Sequence, residues 1–240
     1  MSDPAIRYRI RPQVFELFPE YVRGVVLAFD VRNGQSPPEL VSRLRDTEAN
    51  LLRQIDSNAI SDHPRFVSWR EAYRAIGAKP SKFRPSMEAM ARRVLKGQEI
   101  PSINALVDIG NIVSLSHLVP AGGHAVDVVT QDIELRPAVG DEQFVPFGED
   151  SVEHPSPGEV IFVEGSTVLT RRWTWRQAQH TIMKPDSTAV EFNVDGLPPV
   201  PQSEIAAACE ELIDLIQQFC GGTNFRYEIL SSGNPEMIIR

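Results

Sequence analysis

Between Ile100 and Asp127 the chain reads IPSINALVDIGNIVSLSHLVPAGGHAVD, an apolar run with buried-type polar residues set inside it. Asn104, Asp108 and Asn111 recur three to four residues apart, which places them along one stripe of a helix. Leu106, Val107, Ile112, Val113 and Leu115 supply the apolar surface around them. Amides and a carboxylate in such surroundings need partners, so the helix is expected to serve a site as well as a core. The run breaks at Pro120, passes a Gly122-Gly123 pair read as a turn, and delivers His124 and Asp127 into a β-like segment expected over 125–129. Helix, turn and histidine are expected to form one wall of a site.

Around this stretch the pattern is mixed. Tyr21–Val31 is apolar enough for a buried strand and Asn33-Gly34 turns it. Pro37-Pro38 opens an amphipathic helix running to about Asp56, and further helices are expected over Pro64–Ile76 and Ser86–Leu95, the last with Ser86 as cap and Gly97 as stop. Beyond the signature run come short strands at 133–135, 143–147, 159–163, 168–172 and 189–194. Asp195–Pro201 reads as a linker, because its prolines fix φ and remove donors. An amphipathic helix over Ser203–Phe219 stops at Gly221-Gly222, and Phe225–Leu230 is expected as an edge strand. The class is α+β, with mixed or antiparallel sheet layers and flanking helices, in one domain of 240 residues.

Leu169–Thr181, LTRRWTWRQAQHT, gathers donors and aromatic faces in one loop. One reading makes Arg171, Arg172, Trp173, Trp175, Arg176, Gln177 and Thr181 a pocket for an anion or an aromatic ring, since guanidinium forks and indole faces serve both. The other makes it a hairpin whose tryptophans are core and whose arginines pair with acids on neighbouring elements. Both stay open at this level. Asp108 and Asn111 divide similarly, between ligand contact and fastening the turn that carries His124 by accepting N–H groups of 121–125.

Charge limits the partners. The net charge of -8 is unlike a protein that grips a polyanion over its whole surface, so any nucleic-acid contact must be local. Arg84, Arg92, Arg93 and Lys96 before the signature helix, and Arg171, Arg172 and Arg176 after it, could form such a patch or merely solubilise helices. Cys209 and Cys220 lie in no metal-spaced cluster, and the serine-hydrolase elbow, zinc spacing and phosphate loop are missing, so no metal or cofactor is expected. No segment reads as a secretion signal or a membrane span, and a cytoplasmic protein is expected.

Asn104, Val107, Asp108 and Asn111, followed by His124, Ala125 and Asp127, resemble the N-x-x-V-D-x-x-N helix and H-A-x-D turn of the B3/B4 module in the phenylalanyl-tRNA synthetase beta chain. The resemblance covers roughly residues 85–197, with strand and helices before it (1–84) and a helix and edge strand after it (202–240), and is closer still to free-standing forms of the module. It implies editing: hydrolysis of a mischarged aminoacyl-tRNA, with a free amino acid as another candidate ligand, and with neither aminoacylation nor DNA or membrane partners. His124 would then be catalytic or positioning, against the alternative of a structural histidine closing the turn after Gly123, with Gly122 and Gly123 supplying amides for negative charge and Asn104 contacting substrate. Thr188–Glu191 resembles the family strand whose glutamate reads the hydroxyl of a misplaced tyrosine, so that role is carried to Glu191, placed with His124 in the catalytic set, against the alternative of a solvent-facing strand glutamate. Asp108, Asn111 and Asp127 would support the site. One departure bears on specificity: the module's glycine-rich segment is replaced here by RRWTWRQ. A non-catalytic RNA- or amino-acid-binding module of the same fold is the alternative.

Overall fold

In the computed structural model, which describes residues 5–57 and 59–240, two β-sheets lie face to face and helices cover the outer side of one of them. The first sheet is antiparallel throughout: β2 (Val22–Phe29) lies between β8 (Ala189–Gly196) and β9 (Thr223–Leu230), and β3 (Ala121–Ala125) forms its edge beside β8. The second has the order β10 (Glu236–Ile238), β1 (Arg7–Ile10), β4 (Ile133–Pro137), β5 (Val160–Glu164), β6 (Thr167–Arg171), β7 (Arg176–Gln177). Its β1–β4 pair is parallel and its other pairs are antiparallel. The α+β class with mixed sheet layers is thus what the chain adopts.

On the outer face of the first sheet Val26, Ala28, Val190, Phe192 and Val194 pack against α2 (Pro38–Gln54), α5 (Ala105–His117) and α6 (Gln202–Cys220). The fit is close where α6 crosses: a Cβ on Gly24 would overlap Cys209 Sγ, and one on Gly196 would lie 2.7 Å from Ile205 Cγ1. Both cysteines are free and buried there, and burial pushes their thiols up to about 12 and about 11. Between the sheets lie Tyr8, Val25, Leu27, Leu135, Phe162 and Leu169, and this core continues to α3 (Pro64–Ala75) and α4 (Ser86–Leu95) through Trp69 and Met87.

Several helix ends follow local chemistry. Pro38 opens α2, with Glu39 in its first turn and Arg53 in its last, as the helix dipole favours. Asn104 caps α5 by accepting the Val107 N–H at 3.0 Å. That helix ends on Leu118 at φ 48, a left-handed residue held by Val119 N–H to Ser114 O and by Ser114 Oγ donating to Val119 O. Gly97, at φ +74, follows α4 as a glycine stop should. Ser86 does not cap α4; it is the first helical residue, and Pro85 precedes it.

Elsewhere the structure differs from the sequence expectation, each time through long-range packing. The Gly122-Gly123 pair is no turn but the middle of β3, and 127–129 are not strand. A Cβ on Gly123 would come within 2.7 Å of Met183 and 2.8 Å of Phe192, so glycine here lets those two side chains pack directly over the strand. Segment 143–147 makes isolated bridges only, through Gln143, Phe144 and Pro146, the last lacking a donor to continue a ladder. The linker expected over Asp195–Pro201 begins two residues later, because Asp195 and Gly196 complete β8 opposite Arg23 and Val22. Strands β1, β7 and β10 and helix α1 (Pro12–Leu17) were not foreseen; each is short and gains its place from neighbours.

Candidate functional site

A cavity of about 240 Å³ opens where α4, α5, β3 and the β6–β7 hairpin meet. Its walls are Met90, Val107, Gly110 and Asn111 on the helix side and Trp173–Gln177 on the hairpin side. Its floor belongs to the inner face of the first sheet, where the strand alternation puts Glu191, Asn193 and Asp195 in one row along β8. Across from that row, β3 sets Gly122 opposite Asn193 and His124 opposite Glu191, and β2 sets Arg23 opposite Asp195. A Cβ on Gly122 would have only Asn193 Oδ1 near it, at 3.8 Å, so this glycine leaves the space above the floor open.

His124 is clamped from both sides. Its Nδ1 lies 2.6 Å from Thr181 Oγ1 and 3.3 Å from Gln177 Nε2, its Nε2 lies 3.2 Å from Thr170 Oγ1, and its ring meets Phe162 edge-on. Burial, with the nearby Arg23 guanidinium and His180 adding to it, lowers its pKa to about 3, so the imidazole is neutral at pH 7. Gln177 also donates to Gly123 O at 3.0 Å, and Ala125 N–H donates to Thr181 O at 2.9 Å, which ties the loop 177–181 along the free edge of β3. By the alternation of a strand, the Gly123 N–H points to that same edge.

Glu191 is 0% exposed and lies behind the cavity floor. Burial pushes its carboxyl up to about 8 against the lowering effect of Arg23 and of the Asn193 amide, which donates to Oε1 at 3.2 Å. At pH 7 it therefore carries a proton, and its Oε2 has no partner among the described residues. Asp195, also 0% exposed, does line the cavity. Its Oδ1 accepts from Arg23 Nε at 2.7 Å and from Tyr21 OH, while Oδ2 has no partner among the described residues. Arg23 completes this buried group by donating to Tyr8 OH at 2.7 Å, and Trp173 Nε1 donates to Tyr21 OH at 3.3 Å.

The structure brings Asn111, Gly122, Gly123, His124, Trp173, Trp175, Arg176 and Gln177 to the cavity and leaves the other sequence-selected residues off its wall. Asn104 has both side-chain atoms engaged, capping α5 and donating to Met183 O at 3.0 Å. Thr181 holds His124 from outside the cavity. Asp108 does not accept N–H groups of 121–125. Sitting in the first turn of α5, it reaches back and takes Ser36 Oγ, Ser102 Oγ and the Ile103 N–H, so it fastens the segment before the helix. Asp127 accepts from Thr188 N–H at 2.9 Å and ties the exit of β3 to the entry of β8.

The arginines of the hairpin divide. Arg171 is buried against Glu159 in a two-pronged pair at 2.9 and 2.8 Å and also meets Glu153 at 2.7 Å, so it is committed within the fold. Arg172 lies over Phe83 at 3.7 Å and Trp175 at 4.7 Å, and Arg176 reaches Glu149 at 2.6 Å. Between them the backbone turns through two left-handed residues, Arg172 at φ 46 and Trp173 at φ 65, a strained arrangement for side chains of this size. The Arg171–Glu159 pair on one side and the buried Trp173 ring, packed edge-on against Trp69 at 5.1 Å and Tyr21 at 4.8 Å, hold it in place.

Sequence reasoning passed over Asn193, Asp195, Arg23 and Thr170. A signal was present in AVEFNVDG, where polar residues alternate with Val190, Phe192 and Val194 in a strand too apolar to face water. Next to the cavity, and sharing Met90 and Asn111 with it, runs a groove lined by Arg84, Arg92, Arg93 and Lys96. Among the described residues no group of histidines, cysteines and acids could hold a metal ion, and no helix is long and apolar enough to cross a membrane.

Comparison with known proteins adds a family. The model of the B3/4 domain matches residues 68–221. Among solved structures, the chain is similar to an N-terminal fragment of the phenylalanyl-tRNA synthetase beta-subunit from Pyrococcus horikoshii, at 10% identity and a TM-score of 0.47. That match covers 100% of this chain and 56% of the other. No curated protein matches the sequence.

Proposed function

The chain belongs to the B3/4 domain family, and from that premise we propose that its cavity receives the amino-acid end of an aminoacyl-tRNA and that the protein hydrolyses the ester in trans. The observation that carries the reading is the cavity itself: about 240 Å³, walled by sheet, helix and hairpin, with an apolar side at Val107 and Met90 and a polar floor at Asn193 and Asp195. That volume suits an amino-acid side chain and falls below the range typical of larger ligands. The basic groove of Arg84, Arg92, Arg93 and Lys96 beside it supplies a local cationic path for phosphates, in a chain whose overall charge is negative. Such a substrate implies work in the cytoplasm.

In this reading water attacks the acyl carbon, the ester C–O bond breaks, and the ribose oxygen leaves with the proton that water gives up. His124 is a weak base at neutral pH, since its pKa lies far below it, so its part is that of a fixed neutral hydrogen-bonding group. The Gly123 N–H on the free edge of β3 is the backbone donor for charge developing on the carbonyl oxygen. The clamped, neutral state of His124 also favours a second reading, a module that binds an amino acid or charged RNA end without turnover.

Deacylation measured on a panel of correctly and incorrectly charged tRNAs, beside His124→Ala and Glu191→Ala, separates the two. Turnover on some charged tRNA that falls with His124→Ala supports the hydrolase. No turnover from folded protein refutes it and leaves the binding module.

A further inference from the structure

We infer that Asp195 and Asn193 form a seat for the primary ammonium group of an amino-acid ester, so that the cavity selects ligands carrying a free α-amine. The inference rests on the reading that the cavity holds an aminoacyl group and names what it recognises there. Two residues of the cavity floor carry an acceptor oxygen that the fold leaves available. Asp195 Oδ2 is one: the residue lines the cavity, is 0% exposed, and this oxygen has no partner among the described residues. Asn193 Oδ1 is the other, lying 3.8 Å from where a Gly122 Cβ would be, while its amide nitrogen is turned away to Glu191.

Acceptors on neighbouring floor positions match a group that only donates, and an ammonium is such a group. A buried carboxylate oxygen left unpaired is otherwise unfavourable, which argues that something completes it. The positive charge already present does not occupy this place. Arg23 engages Asp195 through Oδ1, from the β2 side, and spends its remaining contacts on Tyr21 and Tyr8. His124, across the floor, is neutral, and Trp173 meets Tyr21 and not Asp195. An incoming ammonium would therefore find one unshared carboxylate oxygen and one amide oxygen, with Arg23 engaged on the other carboxylate oxygen. The ester carbonyl of the same ligand would then lie toward Gly123 and His124, the two β3 residues beyond Gly122.

The test is calorimetric titration of the full chain with methyl esters of amino acids, each paired with the methyl ester of the α-hydroxy acid of the same side chain. The expected result is that at least one amino-acid ester binds and that its hydroxy counterpart binds about ten- to a hundredfold more weakly, as loss of a charge-assisted hydrogen bond requires. Equal affinity within every pair overturns the inference, as does the failure of all esters to bind at millimolar concentration. Asp195→Asn should abolish the preference for the amine. Because that change also unbalances Arg23, the ligand pairs on unaltered protein decide the matter if the variant does not fold. The two proposals fail separately: an amine preference without deacylation of any charged tRNA removes the hydrolase and leaves the seat, whereas deacylation without an amine preference removes the seat.

Discussion

Replacing Glu191 by Gln should stabilise the protein, and by an amount that depends on pH in a defined way. In the unfolded chain the carboxyl ionises near its ordinary value of 4.5, while in the folded protein burial holds it protonated up to about 8. Between those values the folded state binds the extra proton, so stability falls as pH rises from 4.5 to 8. At pH 7 the protonated side chain costs folding about 3 kcal/mol relative to a group that never ionises. Gln has the same shape, keeps an oxygen for the Asn193 amide, and meets the same lack of a partner that Oε2 now has. The Glu191→Gln gain should therefore be near zero at pH 4.5, about 3 kcal/mol at pH 7, and level off above pH 8. Urea unfolding of both proteins across this range measures it, and other titrating groups, His124 among them, cancel in the difference. A gain that does not vary with pH, or a loss at every pH, would mean that Glu191 is ionised in the fold and balanced by Arg23, and the reasoning would be wrong.

Other perturbations read separate parts of the site. His124, whose folded pKa of about 3 lies below its ordinary 6.5, makes the protein lose stability as pH falls from 6.5 toward 3, at up to about 1.4 kcal/mol per pH unit; His124→Gln should flatten that slope in acid titrations followed by circular dichroism. Gly122→Ala should narrow the cavity floor and weaken ligand binding with little change in unfolding temperature, since only Asn193 Oδ1 lies near the added carbon. Gly123→Ala should instead destabilise by roughly 1–3 kcal/mol, because its methyl meets Met183 and Phe192. Arg171→Met, which leaves the buried Glu159 only Arg172 as a cationic partner, at 3.6 Å, should cost up to about 3–5 kcal/mol in denaturant unfolding; if it changes ligand affinity more than stability, Arg171 is a ligand contact after all.

How much of this was legible beforehand depends on the range of the interaction. Helices α2, α3, α4 and α6 carry their own proline openings and apolar spacing, and β2, β5, β6 and β8 their own apolar runs, so local pattern suffices to place them within a residue or two. The Asn104 to Asp127 motif and the His124 position likewise follow from residues within a short stretch, and the same motif carries the B3/4 resemblance. The RRWTWRQ loop shows the opposite case. Its composition is suited to a pocket and to a hairpin; the fold makes it a hairpin in which Arg171 is committed to Glu159 while Trp175, Arg176 and Gln177 line the cavity.

What the sequence determined by itself was the α+β class and the neighbourhood of the candidate site, because these rest on periodicity, capping and spacing that act over a few residues, while the family came through the resemblance of one short motif. Only the tertiary structure decided what that neighbourhood contains. Pairing of β8 with β2 and β3 set Arg23, Asp195, Asn193, Glu191 and His124 on one buried face, although Arg23 and Asp195 stand 172 residues apart in the chain. The same pairing turned a diglycine from a turn into the open floor of a cavity. Which side chains share a dielectric, and therefore which acid is protonated and which histidine is neutral, is fixed by burial, and burial belongs to the packed sheets and not to any segment of the chain.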